Sequence, residues 1–110
     1  MNNFYKIVTF TIADNLDQVK SALFEAGAGE LGSYDSCCFV SKGIGQYRPL
    51  KGSIPTVGKI NVIEQVEEFR IEIICSQAAL DSATKAIRAA HCYEEPAIYI
   101  TSLESQSFKR

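Results

Sequence analysis

One histidine, three prolines, no Cys-x-x-Cys pair and a net charge of only −2 mark this 110-residue sequence. A single imidazole leaves one base for any Ser–His or Cys–His system, and nothing in the sequence pairs it with a nucleophile. No apolar run approaches the roughly 20 residues needed to cross a bilayer. A slightly acidic chain also lacks the basic face that nucleic acid requires, so neither a membrane nor a nucleic acid is an expected partner. The opening residues Met1 to Lys6 have neither the charged nor the apolar region of a signal peptide, and the expected compartment is the cytoplasm. In that setting Cys37, Cys38, Cys75 and Cys92 are expected as free thiols. If Cys37 and Cys38 lie in a strand they point to opposite faces, which argues against a zinc site made from that pair alone.

What the sequence does contain is enough apolar residue, 46%, to build one core, and a length that fits one domain over residues 1–110. Phe4 to Ile12 is β-branched and aromatic and reads as a strand. Ala13-Asp14-Asn15 breaks it and offers a helix cap. Leu16, Val19, Leu23 and Ala26 then fall on one helical face, with Gly27 and Gly29 as the stop. Tyr34 to Lys42 reads as a second strand, and Ser41 to Lys59, rich in glycine and proline, as an irregular projecting arm with a strand piece at residues 46–48. Val66 to Cys75 alternates, with Phe69, Ile71 and Ile73 on one side and Arg70, Glu72 and Ile74 on the other. Ser76 caps a second helix bearing Leu80, Ala83, Ile87 and Ala90. Ala97 to Leu103 is the fourth strand, the core spans about residues 4–103, and 104–110 is a polar tail expected to fray.

The halves repeat. A shift of 64 places Leu16 on Leu80, Asp17 on Asp81, Ala22 on Ala86 and Leu23 on Ile87. The expected fold is therefore α+β: a ferredoxin-like split βαβ (β-α-β-β-α-β), with a four-stranded antiparallel sheet and two helices on one face. The uncovered face would carry Arg70, Glu72 and Ile74, with Tyr99 a candidate beside them, and a half-apolar open face of this kind commonly meets another subunit.

Under the same shift His91-Cys92-Tyr93-Glu94-Glu95-Pro96 replaces the helix exit Gly27-Ala28-Gly29-Glu30-Leu31-Gly32. A bare connector needs glycine; it has no need of an imidazole and two carboxylates. Three readings stand open. His91 and Glu95 can ligate zinc, manganese or iron, with Cys37, Asp35 or Glu72 completing the set. They can act as an acid–base pair. Or the histidine simply terminates its helix. The run Gly52 to Lys59 has five residues between its glycines and Ile60 after the lysine, which excludes a phosphate-binding P-loop. Arg48 and Lys51 on the arm can still face an anion.

The ordered series Gly32-Ser33-Tyr34-Asp35-Ser36-Cys37, Gly43-Ile44-Gly45-Gln46-Tyr47-Arg48-Pro49, Gly52-Ser53-Ile54-Pro55, Val66 to Glu72 and His91 to Pro96 resembles the domain inserted in Nif-three-like (YqfO-type) dinuclear-metal proteins. The resemblance covers about Lys6 to Leu103. It implies a PII/CutA-like sheet that associates, as a trimer first and a dimer second. The family's His-Pro-Tyr-Glu-Glu run stands here with Cys92 in the proline position. The two metals belong to flanking domains that this sequence does not contain, so the resemblance carries over neither the metal site nor a hydrolase activity. The leading expectation is a non-catalytic oligomeric module that binds a small ligand or protein partner, and the alternative is a metal-binding protein or metal-dependent hydrolase. Candidate ligand-binding residues are Tyr34, Asp35, Arg48, Glu72, His91, Glu94 and Glu95; candidate metal ligands are His91, Glu95 and Cys37. Because the two helix exits lead to opposite edges of the sheet, the Tyr34 and His91 groups are expected to meet only across a subunit interface.

Overall fold

Alternation in the strands and a three-to-four spacing in the helices send one set of aliphatic side chains to a common interior. Ile7, Ile71 and Ile73 from the sheet meet Val19 and Leu23 from the first helix and Ala83 and Ile87 from the second. Each fully buried Leu or Ile contributes about 1.5–3 kcal/mol. The computed structural model describes residues 3–104; the tail expected beyond Glu104 lies outside them. The order is β1 (Phe4–Thr11), α1 (Ala13–Glu25), β2 (Phe39–Tyr47), β3 (Glu64–Ser76), α2 (Gln77–Ala90) and β4 (Ile98–Leu103). The sheet is antiparallel throughout, ordered β2-β3-β1-β4. This is the split βαβ plan, with β2 and β4 at the edges. Among the described residues no helix is long and apolar enough to cross a membrane.

The helix ends differ for physical reasons. At the end of α1, Ala28 N–H donates to Leu23 C=O and Gly27 N–H to Phe24 C=O. That pair of bonds requires a left-handed residue, and Gly27 has φ +98°. α2 instead leaves its last turn in extended backbone at His91, whose N–H still reaches Ile87 C=O. Ser76 caps α2 as expected, accepting from Ala79 N–H. Asp14 and Asn15 do not cap α1: the helix begins at Ala13 behind Ile12, with no side-chain cap. Asn15 is drawn inward for another purpose.

The second strand also lies later than its composition indicates. Residues 34–38 are turn and irregular backbone, and pairing runs from Phe39 to Tyr47. The connector is held inward instead, because Gly29 N–H donates to Ile74 C=O and Cys37 N–H to Gly29 C=O. The first seven of the nineteen residues expected as an irregular arm, Ser41 to Tyr47, are therefore strand. β1 pairs only with Phe69–Ser76 of β3, so Glu64–Glu68 and their partners Gly43–Tyr47 form a two-stranded ribbon past the end of β1. The ribbon and the loop 48–63 make the molecule 49 Å long against 24 × 23 Å across.

On the face away from the core, register aligns Phe10 with Arg70, Val8 with both Glu72 and Tyr99, and Lys6 with Ile74. Phe10 and Tyr99 meet edge to face at 5.8 Å. Glu72 lies between Arg70, to which it is hydrogen-bonded, and Lys6 at 3.8 Å.

Candidate functional site

The exit of α2 is built around two buried polar side chains, one from each half of the chain. Asn15 Nδ2 donates to Ala90 C=O at 3.0 Å and to Gln18 Oε1 at 3.1 Å. Its Oδ1 accepts from Thr11 Oγ1 at 2.8 Å and from Cys92 N–H at 3.0 Å. One amide thus ties β1, α1 and the His91 run together. His91, 8% exposed, does the same from the other side. Its Nε2 lies 2.7 Å from Phe10 C=O, and its Nδ1 accepts Tyr93 N–H at 3.1 Å. Only the neutral imidazole protonated at Nε2 satisfies both partners. Burial lowers the His91 pKa from its ordinary value, against the opposing pull of Phe10 C=O and the Glu68 carboxylate.

From this base the chain reaches the arm. Tyr93 Oη donates to Glu68 Oε2 at 2.5 Å, and its ring lies 4.9 Å from that of His91 and 6.4 Å from that of Tyr47. Burial first, and then the bonded carboxylate, push the Tyr93 phenol far above its ordinary range. Tyr47 is raised too, by burial and then by Glu64 and Glu68. Neither phenol is poised to ionise. Gly45 has no Cβ because the Glu68 carboxylate occupies that space. The loop is strapped down as well: Thr56 Oγ1 donates to Cys92 C=O at 2.7 Å, Ile54 N–H to Glu94 Oε1 at 3.1 Å, and Tyr47 Oη to Val57 C=O at 2.5 Å.

Between arm, open sheet face and β4 lies a cleft of about 740 Å³. Four rings line it, those of Phe10, Tyr47, Tyr93 and Tyr99, with Arg48 and Glu95 among its charged groups. Such a mixture of aromatic wall and a few polar groups is what small-molecule sites are made of.

The structure disperses the sequence-derived candidates. Arg48, Glu94 and Glu95 line the cleft, and His91 lies behind it. Glu72 lies on the open face with Arg70 and Lys6. Tyr34, Asp35 and Cys37 lie in the α1–β2 connector, which is anchored at Ile74. A metal centre from His91, Glu95 and Cys37 within one chain is not formed: both His91 nitrogens have other partners, and no cluster of three His, Cys, Asp or Glu side chains among the described residues is placed to hold an ion. The sequence reading missed Asn15, Glu68 and Tyr47. Asn15 had a signal, since an amide in the first turn of a helix can cap it, but its long-range partners left none.

No family model matches the chain. A GTP cyclohydrolase 1 type 2 homolog of Halalkalibacterium halodurans is 39% identical over 104 residues, covering 94% of this chain and 28% of that protein. The crystal structure of a Bacillus cereus protein related to NIF3 superposes with a TM-score of 0.82 at 35% identity, over 94% of this chain and 26% of that one. This chain belongs to the Nif-three-like family. It spans less than a third of the length of these relatives. The fold is shared more widely: CutA1 of Ehrlichia chaffeensis superposes with a TM-score of 0.69 at 19% identity, over 98% of this chain and 91% of that one.

Cys92 stands at the position where the family resemblance implies a proline. A proline has no N–H, and here Cys92 N–H is spent on Asn15 Oδ1. Cys92→Pro should therefore destabilise this chain by about 1–3 kcal/mol, whereas Cys92→Ala should stay within about 1 kcal/mol. Urea unfolding of the two variants side by side checks this, and equal losses would count against the amide's role.

Proposed function

We propose that this Nif-three-like domain is a non-catalytic binding or regulatory module that works as a homo-oligomer, trimer first and dimer second. Its ligand surface is the cleft between arm and β4. The observation that carries this reading is the state of the polar groups around the cleft. The imidazole of His91, the phenol of Tyr93 and the carboxylate of Glu68 are committed to one another and to backbone. They hold a shape and leave none of the three free to act as base or nucleophile. Of the other charged side chains that line the cleft, Lys42, Arg70 and Glu94 are already paired, while Arg48 and Glu95 have no hydrogen-bond or ion-pair partner among the described residues and can recognise a ligand. Self-association is supported by the open sheet face, where Tyr99 is more than half exposed, and by the PII/CutA-like fold. Tyr34, Asp35 and Glu72 join the site in this reading only through a neighbouring copy.

Chemical-shift mapping against a metabolite collection tests the surface. Hits should move the resonances of Tyr47, Tyr93 and Tyr99, and Arg48→Ala should weaken them. Hits that gather on the helical face would overturn the assignment. Light scattering should report an oligomer at micromolar protein, and a monomer would remove the assembly.

A further inference from the structure

Charge is segregated along this chain in a way that its net value conceals. Residues 36–63, which contain β2 and the arm loop, hold four of the eleven cations and none of the thirteen acids. Lys42 is paired with Glu67, but Arg48, Lys51 and Lys59 form no ion pair among the described residues. The same segment exposes aliphatic side chains, with Ile54 at 76% and Ile63 at 61%. The preceding segment, residues 13–35, is its opposite: Asp14, Asp17, Glu25, Glu30 and Asp35 against Lys20 alone. It ends in a small knob in which Leu31 and Tyr34 exchange backbone bonds at 2.8 and 3.0 Å. The knob shows Tyr34 at 75% exposure, between the exposed acids Glu30 and Asp35.

A basic, aliphatic arm and an acidic, aromatic knob are complementary, and within one molecule no ion pair joins them among the described residues. The connector that carries the knob is anchored to Ile74, near one end of β3. The arm loop enters β3 at Glu64, the other end. Ten residues of strand, roughly 33 Å at the usual rise, separate these two attachment points, and the arm loop folds back no further than Cys92 and Glu94 at the exit of α2. We propose that the arm of one copy docks on the residue 30–35 knob of the next, head to tail, with Lys51 and Lys59 facing Glu30 and Asp35. Apolar contact supplies the attraction and charge sets the register. A contact between two different patches of the same chain is heterologous, and where its rotation closes it makes a ring. This docking rests on the self-association proposed above, and it names the two surfaces that meet.

The test is sedimentation or light scattering of the full chain across a concentration series. Lys51→Glu with Lys59→Glu should raise the dissociation constant at least about tenfold, as should Glu30→Lys with Asp35→Lys. The fourfold variant, with both charges exchanged, should recover most of the loss. All four positions are exposed, and circular dichroism confirms that the variants fold. The wild-type assembly should also weaken as salt rises, a readout that needs no variant. An assembly indifferent to salt and to both reversals would overturn the docking while leaving self-association intact. A monomeric wild type would overturn both.

Discussion

Replacing Asn15 by leucine is expected to lower the stability of the fold by about 3 kcal/mol. The side chain is 5% exposed, and its amide serves four partners. Three of these lie outside its own helix: Thr11 Oγ1, Ala90 C=O and Cys92 N–H. Leucine keeps the branched skeleton and leaves Ala90 C=O and Cys92 N–H without a partner in a place that water reaches poorly, while Thr11 Oγ1 keeps only the Cys92 thiol at 3.9 Å. An orphaned buried group costs about 1–3 kcal/mol, and relaxation of the partly exposed segment at Cys92 keeps the sum below the simple total. In urea unfolding the midpoint should fall with the slope unchanged. Asp14→Ala, one residue away on the solvent side, should change stability by no more than about 0.5 kcal/mol. A loss below about 1 kcal/mol for Asn15→Leu would show that the exit of α2 is held by other means.

The second large effect is the dependence of stability on pH. Burial makes the protonated imidazole of His91 unfavourable in the fold, so its pKa lies below the 6.5 of an exposed histidine. The unfolded chain then binds more protons than the folded chain as pH drops below 6.5. Stability from this group is complete above about 6.5 and is lost on acidification through the folded pKa. Glu68 and the carbonyl of Phe10 oppose the shift and narrow the window without reversing it. Protonation also places a second N–H at Nδ1, against the Tyr93 N–H that it normally accepts. His91→Ala should cost about 2–3 kcal/mol at neutral pH, because Phe10 C=O and Tyr93 N–H lose their partner. The variant should also lose the part of the pH dependence that lies between pH 6.5 and the carboxylate range. Wild-type stability rising between pH 6.5 and 5 would contradict the sign.

The fold was legible because local patterns and the repeat agree. The 0, 3, 7, 10 spacing of Leu16 to Ala26 and of Leu80 to Ala90 marks two helices, and alternation at Phe69 to Ile73 marks a strand that the structure extends to Glu64. Tyr34 to Cys38 misled because β-type residues there are held in a turn by Gly29, whose bond to Ile74 C=O is long-range and carries no local signature. Glycine at positions 43 and 45 similarly concealed the strand within the arm, where the gap at Gly45 makes room for Glu68. The density of the His91 run was visible, but its use was not. Reactive groups and structural groups are the same residue types, and only partners distinguish them. His91 proves to be committed on both nitrogens, at Nε2 to Phe10 C=O, 81 positions away, and at Nδ1 to Tyr93 N–H. Asn15, the other half of the brace, offered only the sequence signal of a cap.

The claim that this run braces the arm and cleft, with no reactive centre of its own, can be tested on one residue. Because the chain has a single histidine, NMR of its imidazole nitrogens reports His91 without assignment. The structure predicts a neutral ring protonated at Nε2, titrating below 6.5, with signals unmoved by added zinc. A ring protonated at Nδ1, a pKa above 6.5, or a stoichiometric shift on adding zinc would contradict it.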